Sequence, residues 1–262
     1  MRIKIAIWGL MIVCGVLSID AQGVITGPKK TTRTNSVSKK SKNKNSFGNA
    51  NQLESAIIVE CEEIAIPDTL VTHGFVNGHE WVDLGLPSGV RWATCNVGAT
   101  LPESDGNYYA WGETNLKDSY IMDNSLSYNK EWYWLKLAGI IDDFGDLTKK
   151  YDSASICWGK SWRIPSKKEF EELKENCTWS WTTFFGQPGY KVSGKNGQFI
   201  FLPASGYWIG NSKFYAKLDG AYWSSSSIDN DTKAYGLIFG SGDINIDNFC
   251  RSYGCSIRPI TN

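Results

Sequence analysis

The sequence is poor in histidine and in net charge, and each shortage argues against a class of function. Only His73 and His79 occur, which leaves little material for histidine-based catalysis or a multi-histidine metal site. Basic and acidic side chains balance at 27 each. The balance is uneven, because residues 22–50 carry seven basic side chains and no acidic one, whereas residues 51–262 are acidic. We therefore expect no nucleic-acid partner, since an acidic surface repels phosphates.

Long apolar runs are missing after the start of the chain. Residues 5–17 are apolar and follow a basic start, but they are too few for a membrane-spanning helix, which needs roughly 20 residues. With the small residue Ala21 following, the pattern predicts a secretory signal peptide over residues 1–21. An uncleaved membrane anchor and a lipoprotein acylated at Cys14 are the alternatives. We expect an exported protein, extracellular or on the outer cell surface (or periplasmic), with no transmembrane span once the signal is removed.

Six cysteines follow residue 21, namely Cys61, Cys95, Cys157, Cys177, Cys250 and Cys255. An even number of cysteines in an exported chain predicts disulfides, although the sequence does not choose among the pairings. Cys250 and Cys255 are close enough in the chain to bridge a tight turn.

Composition divides the rest of the chain into three parts. Residues 22–50 are rich in Lys, Asn, Ser and Thr and predict a flexible basic tether, because they cannot bury enough apolar surface to offset chain entropy. A solvated tail and a tail that touches anionic surface polymers both fit this composition. Residues 51–78 predict an N-terminal extension with short strands. Residues 79–262 predict a domain dense in aromatic and turn residues.

Local signals predict an α+β fold for residues 79–262. Ser166 and Glu169 form a Ser-x-x-Glu capping box, which predicts a helix that ends near Asn176. A shorter helix is expected over residues 152–157 with Asp152 as its cap, while residues 131–141 are ambiguous. Strands are predicted over residues 80–84, 90–95, 234–239 and 255–260, and a hairpin over 191–202 that turns at Asn196-Gly197.

Seven strings occur in a recognisable order: WVDLGLPSG (81–89), WATCNVGA (92–99), YAWGE (109–113), SWRIPS (161–166), LPASG (202–206), YWSSS (222–226) and RSYGCSIRP (251–259). Together they resemble the Fibrobacter succinogenes major paralogous domain, which is common in exported proteins of gut Bacteroidetes. The resemblance covers about residues 79–260. It implies a C-type-lectin-like fold with short antiparallel strands, two helices and a long looped region. It implies no catalytic residues, because the family has none established, and Cys250 and Cys255 depart from its usual pattern.

We interpret five of the matched residues as architectural, namely Trp92, Trp162, Arg163, Trp223 and Arg258. Each tryptophan lies in a string of small or apolar residues and would bury a large area. The two arginines each precede a restricted residue near a strand end. We expect them to pair with carboxylates from elsewhere in the fold, with Asp83 as one possible partner.

Calcium-dependent sugar binding is not expected. Calcium-dependent lectins hold the ion with Glu-Pro-Asn or Gln-Pro-Asp, whereas Gln187-Pro188 is followed here by glycine. Asp243, Asn245 and Asp247 imitate the start of an EF-hand loop but lack its glycine and its final glutamate. We interpret them as the exposed face of a strand, with a cation held by these oxygens as the alternative. The prediction therefore includes no metal site and no cofactor.

An enzymatic alternative rests on Cys250 and Cys255. Formylglycine-generating enzymes share the lectin-like scaffold and carry two reactive cysteines five residues apart, so this pair is similar. A reactive thiol needs electropositive surroundings, and Arg251 alone is little support. A structural disulfide is the favoured interpretation, and we predict no enzyme activity.

The remaining hypothesis is binding by loops on a rigid frame. Candidate ligand-binding residues are Tyr207, Trp208, Tyr215, Asp229, Asn230, Asp231, Asp243, Asn245, Asp247, Arg251 and Tyr253. Aromatic rings beside Asp and Asn suit sugars, whose apolar faces stack on rings while their hydroxyls need acceptors, and they suit protein partners equally. We predict a secreted or surface-displayed module that recognises a glycan or a protein. An oxidase-like or metal site at the cysteine pair and a structural surface or pilus-associated component are the alternatives.

Overall fold

The computed structural model describes residues 71–228 and 232–262 of the chain. The predicted signal peptide, the tether and nearly all of the N-terminal extension lie outside the described residues. So do Cys61 and the ligand candidates Asp229, Asn230 and Asp231. All described residues belong to one compact unit.

The described residues form thirteen strands and three α-helices. The strands are β1 (His73–Val76), β2 (His79–Asp83), β3 (Arg91–Ala93), β4 (Trp162–Arg163), β5 (Thr178–Phe184), β6 (Gln187–Ser193), β7 (Phe199–Pro203), β8 (Tyr207–Ile209), β9 (Ser212–Phe214), β10 (Gly220–Ser227), β11 (Lys233–Phe239), β12 (Ile244–Cys250) and β13 (Ile260–Thr261). The helices are α1 (Trp132–Leu137), α2 (Ser153–Trp158) and α3 (Lys167–Asn176), with a 3-10 helix at Met122–Asn124. None of these helices has the length and apolar character needed to cross a bilayer.

A five-stranded antiparallel sheet joins the two ends of the described chain. Its order is β1-β2-β3-β13-β4, and Ile260 pairs with Trp92 on one side and with Arg163 on the other. The predicted strand over residues 255–260 is mostly absent. Only residues 260–261 form a strand, because Pro259 offers no N–H, although its carbonyl accepts from Ala93 N.

Two three-stranded sheets, β5-β6-β7 and β10-β11-β12, complete the larger strand layers. The predicted hairpin is confirmed as β6–β7, and Gly197 at its turn has φ +83°. Asn196 contributes through its side chain, which donates to Asp83 O at 2.8 Å and accepts from Gln198 N at 3.1 Å. The hairpin turn is thereby fixed to the end of β2.

The helices follow their local signals. In α3 the capping box is complete, because Ser166 Oγ accepts from Glu169 N while Ser166 N donates to Glu169 Oε2 at 2.7 Å. Asp152 caps α2 by accepting from Ser155 N at 2.8 Å. The ambiguous segment forms α1, so the described fold has one helix more than the two predicted. The fold is mixed and rich in strands, which agrees with the predicted α+β class.

Buried tryptophan and arginine side chains form the frame. Trp92, Trp162 and Arg258 are fully buried and Trp223 is 1% exposed, which agrees with their architectural interpretation. The expected pairing with a carboxylate is confirmed for Arg163 and wrong for Arg258, and Asp83 is the partner of neither. Arg163 binds Glu169 through both oxygens, at 2.7 Å for the Nη1–Oε2 pair. Arg258 is instead surrounded by carbonyl oxygens and one amide oxygen.

The expected disulfides are not present among the described cysteines, which are all free: Cys95, Cys157, Cys177, Cys250 and Cys255. Cys255 is wholly buried, and its backbone bonds in both directions with Tyr109. The Cys250 thiol lies 3.0 Å from Ser252 Oγ instead of bridging to Cys255. Packing and hydrogen bonds, rather than sulfur bridges, therefore hold the described part of the chain.

Candidate functional site

A short hairpin, β8–β9, carries the aromatic ligand candidates Tyr207 and Trp208, and a third, Tyr215, directly follows β9. Its two-residue turn is Gly210-Asn211, with Gly210 at φ +58° and Ile209 paired with Ser212. Successive side chains of a strand point to opposite faces, so Tyr207 and Trp208 lie on opposite faces of the hairpin.

Reciprocal backbone hydrogen bonds hold the hairpin at two points. Trp208 N donates to Gly254 O at 2.8 Å, and Gly254 N donates back at 3.0 Å. Gly210 and Tyr120 exchange two bonds of 2.8 Å in the same way. The hairpin is therefore tied both to the segment before β13 and to the long loop that follows β3.

One face of the hairpin opens on a cavity of about 370 Å³, here called the Trp208 pocket. It is lined by Gly106, Asn107, Tyr108, Leu116, Lys117, Asp118, Tyr120 and Trp208. Tyr108 meets the Trp208 ring nearly edge-on, with centroids 6.2 Å apart and an interplanar angle of 72°. Tyr120 lies 6.5 Å from the same ring at 36°. Three aromatic rings from two distant segments thus form the walls.

The two tyrosines of the Trp208 pocket are fixed by their hydroxyl groups. Tyr108 OH donates to Ser205 O at 2.7 Å, and Tyr120 OH donates to Tyr108 O at 2.6 Å. Burial, followed by the charge of Asp105, raises the pKa of Tyr108. Burial raises the pKa of Tyr120 to about 12. Both hydroxyls therefore remain protonated donors at neutral pH.

The cations near the Trp208 pocket are already engaged. Lys117 Nζ lies 2.7 Å from Glu113 Oε2 and donates to Asn124 O at 2.6 Å. Lys213 Nζ lies 2.6 Å from Asp105 Oδ2 and sits over the Tyr108 ring at 4.9 Å. Asp118, in contrast, is exposed at the rim. The pocket therefore presents aromatic walls and a carboxylate, with no free ammonium group among these side chains.

The other face of the hairpin carries a cluster of stacked rings, here called the Tyr207 surface and formed by Tyr207, Phe214, Tyr215, Phe249 and Tyr253. Tyr207 stacks on Tyr253 with centroids 5.9 Å apart and an angle of 9°, and on Tyr215 at 5.7 Å and 29°. Phe214 is 41% exposed and Tyr215 is 51% exposed, while the other three rings are partly buried. Most ring faces are thus turned toward one another, and the exposed rings border the solvent.

The candidates Asp243, Asn245 and Asp247 lie at β12, which belongs to another sheet. Asn245 and Asp247 are exposed positions of β12, and Asp243 directly precedes that strand, whereas Ile244 and Ile246 point inward. This alternation confirms the interpretation of a wet strand face. Among residues 71–228 and 232–262, no three His, Cys, Asp or Glu side chains are placed to hold a metal ion.

The prediction that Arg251 contacts ligand is wrong, because its side chain is fully buried. It donates to the carbonyls of Lys233 at 2.9 Å and Lys130 at 2.8 Å. Its guanidinium lies 4.9 Å from the centre of the Trp111 ring. Arg251 therefore joins the start of β11 to the loop before α1 and belongs to the frame.

The cysteine pair lacks the surroundings of a reactive centre. Burial, followed by the nearby Cys250 thiol, raises the pKa of Cys255 well above its ordinary value. A thiol of high pKa carries little thiolate, which is the nucleophilic and metal-binding form. The buried Cys255 thiol, with its raised pKa, thus gives no support to the oxidase-like alternative.

In two further cavities, polar or aromatic side chains of the lining contact other residues of the protein. In one of about 530 Å³, Asp146 Oδ1 accepts from Ser225 at 2.8 Å and from Ser226 at 2.6 Å. In the other, of about 340 Å³, His79 stacks on Trp158 with ring centroids 3.8 Å apart, and burial lowers the pKa of His79. Two further carboxylates line the first cavity and are also bound: Asp152 accepts from Ser155 N and Ile164 N, and Glu169 accepts from Arg163.

Comparisons of the chain with models of known families, with curated proteins and with solved structures found no match.

The sequence analysis missed two of the three walls of the Trp208 pocket. Tyr108 directly precedes the string YAWGE, and Tyr120 lies in the loop after it, so neither stood out as a ligand contact. The dipeptide Gly210-Asn211 was the available signal for the hairpin, since Gly-Asn between β-prone residues is typical of a two-residue turn. With that hairpin recognised, strand alternation would have separated Tyr207 from Trp208.

Proposed function

We propose that this protein is a secreted or surface-displayed binding module that recognises a glycan or a protein and performs no chemistry. The observation that carries the proposal is the β8–β9 hairpin, which presents aromatic rings on both faces. Reciprocal backbone bonds at Trp208 and Gly210 fix its position. Preorganised aromatic side chains lower the entropic cost of binding, and such residues dominate the affinity of many recognition surfaces.

We further propose that residues 79–262 form a C-type-lectin-like domain related to the Fibrobacter succinogenes major paralogous domain. Three features support this proposal: the strands are short and antiparallel, the helices are few, and the chain between β3 and α1 is a long looped region. In that region, residues 94–131, the structure has only the 3-10 helix Met122–Asn124 as a regular element. The aromatic walls Tyr108 and Tyr120 come from the same region.

A binding role is favoured over catalysis because the candidate chemical groups are occupied by the frame. Glu169 is held by Arg163, and Asp146 accepts from two serines. Cys255 is buried with a raised pKa. The exposed groups around the hairpin include aromatic rings and the Asp118 carboxylate, which can contact a ligand without transforming it.

A glycan and protein array probed with the purified full chain, with calcium and again with chelator, tests the proposal. We expect specific binding to one ligand class, unchanged by chelator, because the calcium-ligand pattern is missing from the sequence. An array without a specific ligand contradicts the binding function, and turnover of any arrayed compound contradicts its non-catalytic character.

A further inference from the structure

We propose that the Trp208 pocket is a subsite for one neutral pyranose ring, stacked on the Trp208 indole. This inference rests on the proposed binding function and names its ligand class and its location. It concerns the pocket face of the β8–β9 hairpin and not the Tyr207 surface on the opposite face.

The volume of the Trp208 pocket limits the size of its ligand. At about 370 Å³ it lies near the lower end of the range for small-molecule sites, roughly 300–1,000 Å³. One sugar ring suits such a space, whereas an oligosaccharide must extend beyond the rim. The exposed Leu116 and Asp118 lie at the rim, where the rest of an oligosaccharide would leave the pocket.

The ring geometry suits a sugar with one apolar face. The Tyr108 ring is nearly perpendicular to the Trp208 indole, at 72°, and the Tyr120 ring is tilted at 36°, so neither tyrosine is stacked flat on the indole. A pyranose presents C–H groups on one face, and aromatic side chains bind such surfaces through dispersion and their negative ring faces. Its hydroxyl groups require acceptors, which the Asp118 carboxylate and the Asn107 amide offer at the pocket.

Rigidity makes this pocket effective despite its small area. Trp208 and Tyr120 are each held by paired backbone hydrogen bonds, and each tyrosine hydroxyl is bound to a carbonyl. Gly254 also supports Tyr120 closely, because a Cβ atom at residue 254 would lie 2.7 Å from the tyrosine ring. Little side-chain entropy is therefore lost when a ligand binds.

Charge selects a neutral sugar over an anionic one. Lys117 lines the pocket, but its ammonium group is bound to Glu113 and Asn124, and Lys213, which lies over Tyr108, is paired with Asp105. The remaining charge at the rim is the exposed carboxylate of Asp118. A uronate or a sugar phosphate would meet this carboxylate without a free cation and would be repelled.

The Tyr207 surface does not offer the same kind of site. Its central ring is stacked against Tyr253 and Tyr215, with centroid distances of 5.9 and 5.7 Å. Ring faces that already contact one another are not available to a sugar. This surface therefore provides the internal comparison for the pocket.

The test is calorimetric titration of the full chain with the methyl glycosides of glucose, galactose, mannose and N-acetylglucosamine, and with glucuronate as the anionic control. We expect at least one neutral glycoside to bind and glucuronate not to bind. Trp208→Ala should weaken binding by about tenfold or more, the loss of one stacking platform. The matched control is Trp134→Ala, which removes a 40% exposed indole from α1 and should leave binding unchanged.

A second variant keeps the test valid if Trp208→Ala does not fold, as judged by circular dichroism. Asp118→Ala changes an exposed rim residue and should weaken the neutral glycoside severalfold. Retained affinity in a folded Trp208→Ala protein, or in Asp118→Ala, overturns the pocket assignment. If Tyr215→Ala loses binding and Trp208→Ala does not, the sugar binds at the Tyr207 surface instead. If the array yields only protein ligands, the sugar proposal is refuted while the proposed binding function stands. An array without hits and a silent titration refute both proposals.

Discussion

Replacing Arg258 by methionine should strongly destabilise the protein, because its fully buried guanidinium donates to four acceptors. The guanidinium donates to Asn96 Oδ1 at 2.8 Å, Ala93 O at 3.1 Å, Thr94 O at 2.8 Å and Phe201 O at 2.9 Å. It thereby joins the end of β3 to β7 in another sheet. Methionine fills a similar volume but leaves these four acceptors without their donor.

The size of the effect follows from those acceptors. An unsatisfied buried acceptor costs roughly 1–3 kcal/mol of stability. Because the variant no longer buries a charge, the desolvation penalty of the guanidinium disappears and offsets part of this loss. Taking the lower figure for each acceptor gives a loss of roughly 4 kcal/mol, a large part of the 5–15 kcal/mol typical of a domain. Urea unfolding followed by tryptophan fluorescence measures this loss.

Two matched variants make the measurement specific. Arg258→Lys keeps the charge but loses the planar set of donors, so its stability should fall between those of the wild type and the methionine variant. Arg163→Met removes a partly exposed arginine that binds Glu169 and should cost less than Arg258→Met. A methionine variant within about 1 kcal/mol of the wild type would refute the argument that Arg258 satisfies a set of costly acceptors.

Three further outcomes are expected. Burial raises the pKa of Asp152 to about 6, so the folded state binds a proton that the unfolded chain releases above its ordinary pKa of 3.8. Stability from this group is therefore fully present below pH 3.8 and is lost as the pH rises through about 6. Urea unfolding should show the wild type gaining roughly 2 kcal/mol over Asp152→Asn as the pH falls from 6 to 4. A pH-independent difference contradicts this. Gly206→Ala should lower the thermal unfolding midpoint more than Gly197→Ala. Gly206 combines φ +65° with a Cβ position 2.2 Å from Phe214 O, whereas a Cβ at residue 197 meets nothing within 4 Å. Equal decreases of the unfolding midpoint in the two variants would contradict this. Iodoacetamide should label the exposed Cys157 in the native protein and the buried Cys255 only after unfolding. Mass spectrometry of the peptides measures both. Rapid labelling of Cys255 in the native protein would contradict its burial.

Elements with complete local signals could be predicted from the sequence. The helix α3 begins where Ser166 and Glu169 form their capping box, because both partners lie three residues apart in the chain. The β6–β7 hairpin likewise turns at Asn196-Gly197. In both cases the determining interactions span a few residues, so no knowledge of distant segments is needed.

Elements whose shape depends on distant partners could not be predicted in the same way. Residues 255 and 256 form isolated bridges with Tyr109 and Tyr222 instead of a regular strand. The helix α1 has Leu135 as its one buried residue, while Tyr133 and Leu137 are exposed, so it lacks the apolar periodicity that marks a surface helix. This lack of periodicity is why the sequence of residues 131–141 did not distinguish a helix from other structures.

The roles of the candidate site residues depend even more on tertiary structure. Arg251 and Tyr253 stand two residues apart in one string, yet the guanidinium is buried among carbonyls while the tyrosine joins the Tyr207 surface. A polar or aromatic residue near a strand end gives the same sequence signal in both cases. The outcome depends on the segment that packs against each residue. The loop before α1 buries Arg251 in the frame, whereas the β8–β9 hairpin places Tyr253 in the partly exposed Tyr207 surface. For the same reason the Trp208 pocket, whose walls are separated by some 90 residues of chain, has no contiguous motif, and variants of its individual walls are the direct way to establish its role.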